Sequence, residues 1–247
     1  MKIAVISDIH GNFQALDAAM NDIKEQGCER IFVLGDYAMA GPQPTLVVDW
    51  FFKKMFDENY KIIQGNTDLM IADFSEDLYQ TVKTKAPIMA EALKNDITVL
   101  NPIQKDFLKN LPIQLEVEES GIKFLLVHGS PRKNNEDILP DTPLDEVEKM
   151  LENVTADVIL CGHTHIPCGF QTSTKKTVVN VGSIGRPFTA EPKSCYLKIT
   201  VNNGECLFEH RFVEYNKEEA SNILKKRNFA GADKLAEMLL NPTIRHF

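Results

Sequence analysis

Residues 2–12 have the sequence KIAVISDIHGN, in which a short apolar run is followed at once by Asp8, His10 and Asn12. The run at 2–7 predicts a buried strand, because it is brief, contains β-branched residues and stops at polar ones. Apolar residues then recur at helical spacing and end at a glycine suited to a helix C-terminus: Phe13, Leu16, Met20, Ile23 and Gly27. A buried strand that leads into an amphipathic helix is typical of an α/β protein.

The same strand–helix pattern occurs again farther along the chain. Residues 30–35 (RIFVLG) and 59–65 predict a second and a third strand, and Pro44 opens a helix between them. Three such units in succession predict a parallel sheet covered by helices. Residues 67–101 then contain no convincing strand and carry apolar residues at helical intervals, with a break near Pro87. We therefore predict a helical cap insertion at 67–101.

The second half of the chain is rich in predicted strands. They lie at 113–118, 122–127 and 157–161, and the dipeptide Asn203-Gly204 predicts a hairpin. Four helices are also predicted in this part of the chain. Asn101-Pro102 begins a short one, Thr142 caps one at 143–152, a capping box of Asn216 with Glu219 begins a third, and the last covers 232–240. No linker or repeat interrupts the sequence, so we predict one domain at 1–247 that ends in C-terminal helices within 216–247.

The composition is that of an ordinary globular protein of 247 residues, with 43% hydrophobic and 25% charged residues. The N-terminus resembles no signal peptide, and no apolar stretch approaches the ~20 residues that span a bilayer. We therefore expect a cytoplasmic protein without a membrane partner. The net charge of −8 is unfavourable for binding long nucleic acid, which needs a basic surface to displace counterions. The sequence leaves the oligomeric state open.

The five cysteines are an odd number and form no CxxC pair, which argues against a disulfide framework. Cys161 and Cys168 flank a histidine pair, but their spacing fits no common zinc site. We predict the structural role of a small apolar residue at the end of a buried strand instead.

Polar residues with metal-binding side chains follow the predicted strands at the point where each strand ends. They are Asp8, His10, Asp36, Asn66, His128, His163 and His165. Because the carboxyl ends of strands form the binding crevice of an α/β sheet, these side chains should converge on one site. Carboxylates mixed with imidazoles suit two divalent ions that share one bridging carboxylate, for which Asp36 is placed. We expect manganese, with iron, zinc or nickel as alternatives, and we assign His210 and His246 to structural roles.

The ordered series of motifs is DIHGN (8–12), GDYAMAG (35–41), GNTD (65–68), VHGS (127–130), GHTH (162–165) and NVGSIGRP (180–187). It resembles the motif set of the calcineurin-like metallophosphoesterases, which is D-x-H, G-D, G-N-x-D/E, H-G and G-H-x-H in that order. The resemblance fills every ligand position. It implies an α/β fold of four layers, α/β/β/α, with two mixed β-sheets packed face to face and helices outside.

The resemblance also implies a role for each ligand position. It implies one metal site with the ligands Asp8, His10, Asp36 and His165. It implies a second site with the ligands Asp36, Asn66, His128 and His163. A hydroxide that bridges the two ions would attack phosphorus, so the chain resembles a dinuclear metal-dependent phosphoesterase. The catalytic residues would be Asp36, Asn66 and His128.

One position departs from the family pattern. Many relatives have G-N-H-D or G-N-H-E as the third motif, and the histidine protonates the leaving alkoxide; here that residue is Thr67. A threonine hydroxyl cannot donate a proton near neutral pH, so general-acid help worth about 10²–10⁴-fold is missing. Substrates with good leaving groups should therefore be favoured. The loss of the histidine resembles the small prokaryotic phosphodiesterase branch of the family, whose members carry small residues at this position. Asp68 is expected to position water or the loop.

We therefore predict a phosphodiesterase that hydrolyses small-molecule phosphodiester or nucleoside polyphosphate bonds. The segment FVEYNKEEA (212–220) is similar to the tails of diadenosine tetraphosphate hydrolases, which makes dinucleoside polyphosphates candidate substrates. The predicted substrate contacts are Asn12, Asn66, Thr67, Arg132 and Arg186. Arg132 could equally be a solvated loop charge, and we assign Phe74 and Tyr79 to packing of the cap.

Two other functions stay open. A phosphomonoesterase or protein phosphatase would use the same metals, although the missing histidine counts against it. A non-catalytic metal-binding scaffold would keep the fold, but such proteins usually lose ligands that this chain retains. The ratio of diesterase to monoesterase activity distinguishes a phosphodiesterase from a phosphomonoesterase or protein phosphatase. The metal content of the purified protein distinguishes an enzyme from a non-catalytic scaffold.

Overall fold

The computed structural model describes residues 1–241, which form two five-stranded β-sheets with helices around them. The inner faces of the sheets pack on each other through side chains such as Val5 and Phe32 on one side and Phe124 and Leu126 on the other. Helices cover both outer faces. The predicted four-layer α/β/β/α fold with two mixed sheets is therefore confirmed. Because both faces of the sheets are covered, their central strands are continuously apolar rather than alternating.

The first sheet contains β1 (Lys2–Ile6), β2 (Arg30–Val33), β3 (Tyr60–Ile62), β9 (Ser194–Asn202) and β10 (Glu205–Val213), in the order β10-β9-β1-β2-β3. The pairs β1–β2 and β2–β3 are parallel, as predicted, and β9 pairs antiparallel with β1. The predicted hairpin joins β9 to β10 through Asn203 and Gly204, whose φ angles are 51° and 80°. The helices α1 (Phe13–Glu25) and α2 (Pro44–Phe52) cover the outer face of this sheet.

The second sheet contains β4 (Gln114–Glu119), β5 (Ile122–Val127), β6 (Val158–Cys161), β7 (Cys168–Gln171) and β8 (Thr177–Asn180), in the order β4-β5-β6-β8-β7. β5, β6 and β8 are parallel, and the two edge strands are antiparallel to them. Cys161 is buried at the end of β6, as predicted, and all five cysteines are free.

The helix α7 (Leu144–Met150) packs on the outer face of the second sheet and is shorter than the predicted 143–152. The prediction that Thr142 caps this helix is wrong. The Thr142 hydroxyl accepts the N–H of Leu139 at 2.8 Å, in the preceding turn, and Pro143 occupies the N-cap position. The threonine therefore stabilises the approach to the helix rather than its first turn.

The segment predicted to be helical, 67–101, contains α4 (Glu76–Lys85), α5 (Pro87–Val99) and all but the first residue of α3 (Asn66–Ala72). The helix α6 (Pro102–Asn110) follows it, at the predicted Asn101-Pro102 start. Pro87 is the first residue of α5, which accounts for the predicted break. Asn101 caps α6, since its Oδ1 accepts the Gln104 N–H at 3.0 Å. Ile71, Leu93 and Phe107 enter the same core as α1 and α2. The inserted helices thus extend the outer helical layer.

The helices α8 (Lys217–Lys225) and α9 (Ala232–Leu240) follow β10. Asn216 caps α8 by accepting the Glu219 N–H at 3.1 Å, and its amide donates to the Glu219 carboxylate at 2.9 Å. Residues 242–247, including His246 and the end of the predicted C-terminal segment, lie outside the described residues. Within residues 1–241, none of the helices combines the length and the apolar character that crossing a membrane requires.

Candidate metal centre

The predicted ligands lie in loops that follow strands of both sheets, and the fold brings them together. Asp8 and His10 follow β1, Asp36 follows β2, and Asn66 is the first residue of α3, after β3. His128 follows β5 in the other sheet, and His163 and His165 follow β6. The ligand set is therefore assembled where the two sheets meet, and most of its side chains are buried.

Five of these residues have a positive φ: Asp8 (56°), His10 (47°), Asp36 (58°), His163 (67°) and His165 (63°). This left-handed conformation is strained for residues with a Cβ, and it persists only where surrounding contacts hold it. The loops after β1 and β2 hold each other: the Asp8 N–H donates to Gly35 O at 3.0 Å and the His10 N–H to Asp36 O at 2.9 Å. Strain of this kind clusters at functional sites.

Glycines allow the backbone to approach the two carboxylates. A Cβ at Gly162 would lie 2.6 Å from Asp8 Oδ2, and a Cβ at Gly65 would lie 2.1 Å from Asp36 Oδ1. Both distances are far below van der Waals contact, so neither position has room for a side chain. Gly65 and Gly162 are therefore explained by packing against the predicted ligands.

One group of side chains surrounds Asp8. Its Oδ1 lies 3.2 Å from His165 Nε2 and 3.8 Å from His10 Nε2. The two imidazole Nε2 atoms are 3.2 Å apart. These ligand atoms all lie within 4.8 Å of one another, a spacing that one metal ion can satisfy. They belong to the first predicted metal site.

A second group surrounds Asp36. Its Oδ2 lies 3.4 Å from His128 Nε2 and 3.6 Å from His10 Nε2, so this carboxylate stands between the two groups. Asn66 Oδ1 lies 2.9 Å from both His128 Nε2 and His163 Nδ1. Asp8 Oδ1 lies 3.9 Å from His128 Nε2, and Asp8, Asp36 and His128 form a second group of atoms within 4.8 Å of one another, so Asp8 as well as Asp36 lies between the two predicted sites. Metal binding by these residues stays a prediction.

Backbone carbonyls orient three of the histidines. Nδ1 of His10 lies 3.0 Å from Met39 O, that of His128 2.7 Å from Leu34 O, and that of His165 2.6 Å from Arg186 O. Because a carbonyl oxygen only accepts, each Nδ1 carries the hydrogen and donates it. Each Nε2 is thereby turned towards the carboxylates, which is how metal-binding histidines are commonly oriented.

The charges of the centre are strongly coupled. Burial lowers the pKa of His10 to about 4, although the charge of Asp36 opposes this shift. Burial also disfavours the charged form of His128, but the charges of Asp36 and Asp8 outweigh it and raise the pKa of His128 to about 10. Burial raises the pKa of Asp36, but His128 outweighs it and holds that pKa at about 2. Burial also raises the pKa of Asp8, but the charges of His165 and His128 outweigh it and hold that pKa well below its usual value, so both carboxylates are ionised at neutral pH.

This donor set fits divalent cations. Asp8 Oδ1 is buried and has no hydrogen-bond donor among the described residues. His10 is neutral at pH 7 with its Nδ1–H already used, so its Nε2 offers a lone pair to the same space. Ionised carboxylates that face the His10 lone pair in a buried site favour a cation between them, and a divalent ion would replace the proton that His128 carries beside Asp36. The mixture of oxygen and nitrogen atoms suits manganese, iron or zinc.

Two further carboxylates support the centre, and the contact of one of them, Asp137, was not predicted from the sequence. Asp137 Oδ1 lies 3.1 Å from His163 Nε2 and thereby orients a predicted ligand. The Asp68 carboxylate accepts N–H groups of Asp36 at 2.8 Å and Tyr37 at 3.0 Å, so it positions a loop, in line with one of its two expected roles. Asp137 lies in a loop that carries other acidic residues, and no sequence signal distinguishes it from them.

The predicted substrate contacts lie in different surroundings. Asn12 is buried; its Oδ1 accepts the Ala15 N–H at 3.2 Å and its amide donates to Gly185 O at 3.1 Å. These bonds cap α1 and tie it to the motif at 180–187. The Thr67 N–H donates to Asp36 Oδ1 at 2.9 Å, while its hydroxyl lies 3.4 Å from Ala38 O. Substrate contact by either residue stays a prediction.

The two predicted arginine contacts differ from each other. Arg132 forms two hydrogen bonds to Glu136, of 2.7 and 3.0 Å, so its charge is balanced within its own loop. Arg186 forms no ion pair with a carboxylate of residues 1–241, and its Nη1 lies 3.5 Å from Met89 Sδ. Burial lowers the pKa of Arg186 to about 10, against the opposing charges of Asp8 and Asp36. Arg186 is thus a cation close to the centre.

The remaining assignments agree with structural roles. His210 Nε2 donates to Asn180 O at 2.7 Å, since that carbonyl can only accept. Tyr79 is buried and its hydroxyl donates to Glu91 at 2.6 Å, while Phe74 packs against the core of the first sheet.

Comparison with known proteins gives consistent matches. Residues 1–204 match the family model of the calcineurin-like phosphoesterase superfamily domain. An uncharacterized protein of Methanocaldococcus jannaschii is 30% identical over 251 residues, which cover 91% of this chain and 93% of the relative. A hypothetical protein from Pyrococcus horikoshii OT3 has a solved structure with a TM-score of 0.83 and 26% identity, covering 96% of this chain and 97% of that one. A metallophosphoesterase from Sphaerobacter thermophilus shares the fold, with a TM-score of 0.78 and 20% identity over 98% and 99% of the two chains.

The family match covers every motif in the ordered series, and the ligand positions of those motifs meet at one buried site. The solved structures share the two-sheet fold along almost their whole length. This chain therefore belongs to the calcineurin-like phosphoesterase superfamily.

Proposed function

We propose that this protein is a dinuclear metal-dependent phosphodiesterase that hydrolyses phosphodiesters or nucleoside polyphosphates of small molecules. The family to which it belongs consists of metal-dependent phosphoesterases, so hydrolysis of a phosphoric ester is the reaction class. The observation that carries the narrower proposal is the convergence of a complete ligand set around Asp36, next to a third motif that contains Thr67 instead of histidine.

The proposed ligands of the first metal ion are Asp8, His10, Asp36 and His165. The proposed ligands of the second are Asp36, Asn66, His128 and His163. When bound, two divalent ions activate water as the nucleophile and neutralise charge on the phosphoryl oxygens. Manganese is the metal we propose.

Hydrogen bonds with the backbone hold the proposed metal ligands in place. The Thr67 N–H and the carbonyls of Met39, Leu34 and Arg186 fix the carboxylate and the imidazoles, which keeps the site in one geometry before substrate arrives. Arg186 supplies a further positive charge beside the centre, and we propose that it contacts the phosphate. Preorganised positive charge of this kind stabilises the transition state of phosphoryl transfer.

The third motif, GNTD at 65–68, bears on which leaving groups the enzyme can expel. Thr67 directs its hydroxyl towards Ala38 O, and Asp68 next to it is occupied by backbone N–H groups. Neither residue is placed as a proton donor for a leaving alkoxide. We therefore propose that the enzyme prefers leaving groups that depart without protonation, such as aryl oxides and polyphosphates, and dinucleoside polyphosphates are among the candidates.

The test compares bis-p-nitrophenyl phosphate with p-nitrophenyl phosphate on protein loaded with Mn²⁺. We expect kcat/KM to be at least about tenfold higher for the diester, together with about two bound ions per chain. Asp36→Asn should lose both ions and activity, whereas Asp77→Asn, the same change at an exposed position on α4, should retain both.

The alternatives predict different results. A monoester preference would show a phosphomonoesterase or protein phosphatase. Fewer than two reconstitutable ions, together with no hydrolysis of either ester after manganese addition, would show a metal-binding scaffold.

A further inference from the structure

A cleft of about 210 Å³ opens beside the metal centre, between α3, the start of β4 and the loop after β5. His128 forms part of its wall, and Nε2 of this residue lies 3.4 Å from Asp36 Oδ2. A ligand in the cleft would therefore lie next to a phosphate held at the centre. The volume suits one aromatic or nucleoside-sized group.

One wall of the cleft is apolar and rigid. It contains Leu69 from α3 and Ile113, whose side chain is 57% exposed although it is large and apolar. The backbone at Ile113 is held in place, because the preceding residue Pro112 accepts the Gln64 N–H at 2.8 Å. The Gln64 side chain is anchored in turn by donating to Leu108 O at 2.7 Å. An exposed apolar side chain on a fixed backbone is suited to contact with a flat, apolar ligand group.

The opposite wall is the turn at 130–134. The Ser130 hydroxyl oxygen accepts the N–H groups of Arg132 at 3.1 Å and Lys133 at 3.2 Å, and it donates to Glu136. Ser130 N–H also donates to Lys133 O at 2.9 Å. These bonds close the turn on itself and fix the direction in which Lys133 leaves the backbone.

The charge of this wall is concentrated on Lys133. The Arg132 guanidinium is paired with Glu136 through two hydrogen bonds. Within residues 1–241, by contrast, Lys133 forms no direct ion pair with a carboxylate, although its charge helps to lower the pKa of Glu136, and this side chain is exposed at the cleft. The cleft thus presents an apolar wall on one side and a cation without a direct ion pair on the other.

We propose that this cleft binds the organic part of the substrate, and that Lys133 binds a second anionic group that the substrate carries. The ligand class is an aromatic or nucleoside group joined to more than one phosphate, with one phosphate at the metal centre. The proposal rests on the proposed function and narrows it to nucleoside polyphosphates, because a simple aryl diester has nothing for Lys133 to bind.

The test measures equilibrium binding by calorimetry on Mn²⁺-loaded protein, with adenosine 5′-diphosphate and inorganic phosphate as probes. Lys133→Gln should weaken binding of the diphosphate about tenfold and change binding of inorganic phosphate less than twofold, because a charge-assisted contact is lost only with the longer ligand. Ile113→Ala should also weaken the diphosphate selectively. Lys53→Gln, which removes an exposed lysine at the end of α2, is the matched control and should bind both probes as the wild type does.

Kinetics provide the second readout. In an active enzyme, Lys133→Gln should raise KM for a dinucleoside polyphosphate about tenfold, with kcat and metal content unchanged. Unchanged diphosphate binding in both cleft variants would overturn the proposal even if diesters are hydrolysed. If the cleft variants lose diphosphate binding selectively but the wild type hydrolyses no diester, the ligand-binding role of the cleft is supported and the proposed phosphodiesterase function is refuted. The two proposals can therefore fail separately.

Discussion

Asp68 lies fully buried behind Asp36, and three backbone N–H groups point at its carboxylate. They belong to Asp36 at 2.8 Å, Tyr37 at 3.0 Å and Gly65 at 2.8 Å. Burial and the nearby charge of Asp36 raise the pKa of Asp68 to about 7, against the pull of these donors. A single carboxylate thus joins the loops that carry two of the predicted ligands, Asp36 and Asn66.

We expect Asp68→Asn to lower the free energy of unfolding by about 2–3 kcal/mol. The amide has one acceptor oxygen where the carboxylate has two, and its NH₂ group would face backbone N–H donors in a buried site. Urea unfolding of the metal-free protein measures the change. Asp77→Asn on the surface is the control, and a loss for Asp68→Asn below 0.5 kcal/mol would contradict the structural role of its carboxylate.

At the level of single residues, the sequence predicted which side chains converge but not how they are held. Strand ends followed by Asp, Asn and His indicated the seven positions, because parallel strands share one carboxyl edge. The left-handed conformations of residues such as Asp8 and His165 were not predicted. They depend on bonds between loops that are distant in sequence, as does the contact of Asp137 with His163.

Among the elements, α5 and the segment after α8 are joined by a buried ion pair. Arg227 Nη2 donates to Asp96 Oδ1 at 2.7 Å, and Arg227 Nη1 donates to Gly41 O at 2.7 Å. Asp96 Oδ2 accepts the Met39 N–H at 2.7 Å, and the Met39 carbonyl orients His10. The inserted helices and the C-terminal helices therefore both support the loop at 39–41.

We expect Arg227→Met to lower the free energy of unfolding by about 3–5 kcal/mol, because it removes the cation paired with the buried Asp96 carboxylate. Burial already raises the pKa of Asp96, so without Arg227 this group must either stay charged at a high cost or bind a proton. The double variant Asp96→Asn with Arg227→Met should recover part of this loss, because the uncompensated charge is gone. Chemical denaturation of wild type, both single variants and the double variant gives the coupling energy. Additive losses would contradict the coupling.

A second connection between elements predicts a pH dependence. Asp22 of α1 accepts the Tyr196 hydroxyl at 2.6 Å and Arg211 Nη2 at 2.9 Å, which links α1 to β9 and β10. Burial raises the pKa of Asp22, but the hydrogen bonds from Arg211 and Tyr196 outweigh it and hold that pKa below its usual value. The folded state therefore binds this proton less tightly than the unfolded state.

Ionised Asp22 therefore stabilises the fold at pH values above about 3.9, the pKa of an aspartate in the unfolded chain. This stabilisation is lost as the pH falls through the lower pKa that Asp22 has in the folded protein. We expect Asp22→Asn to cost about 1–3 kcal/mol at pH 7. The difference from wild type should shrink as the pH is lowered below about 4. Urea titrations at several pH values measure it; a difference that grows towards acid would contradict the assignment.

Most elements could be predicted from the sequence because their signals are local. Apolar runs predicted the parallel order of β1, β2 and β3, and Asn101 predicted the start of α6. The position of β9 between β10 and β1 could not be predicted. The pairing of strands from opposite ends of the chain produces no pattern in the local sequence. Thr142 misled the prediction of α7 because its hydroxyl bonds to the preceding turn instead.

On the scale of the whole molecule, the proposed ligands connect the two sheets. Asp8, His10, Asp36 and Asn66 follow strands of the first sheet, and the other histidines follow strands of the second. Ions bound between them should stabilise the sandwich, because an unfolded chain cannot present both halves of the site.

We expect Mn²⁺ at 100 times its Kd to stabilise the protein by about 2.7 kcal/mol for each proposed site that it fills. For a chain of this size, this corresponds to a rise in Tm of roughly 5–10 °C. Thermal unfolding with manganese and after treatment with a chelator measures the difference. Asp36→Asn should show no such rise, and equal Tm values for the wild type with and without manganese would contradict binding at the junction of the sheets.

The assembly of the site from both sheets also has a consequence during synthesis. His10 and His165 stand with their Nε2 atoms 3.2 Å apart although 155 residues separate them in the chain. At ~5–20 residues per second, translation needs on the order of 10 s to pass from one to the other. Before the second sheet is made, the nascent chain holds four of the seven proposed ligands, so the complete proposed site can form only after the second sheet has left the ribosome.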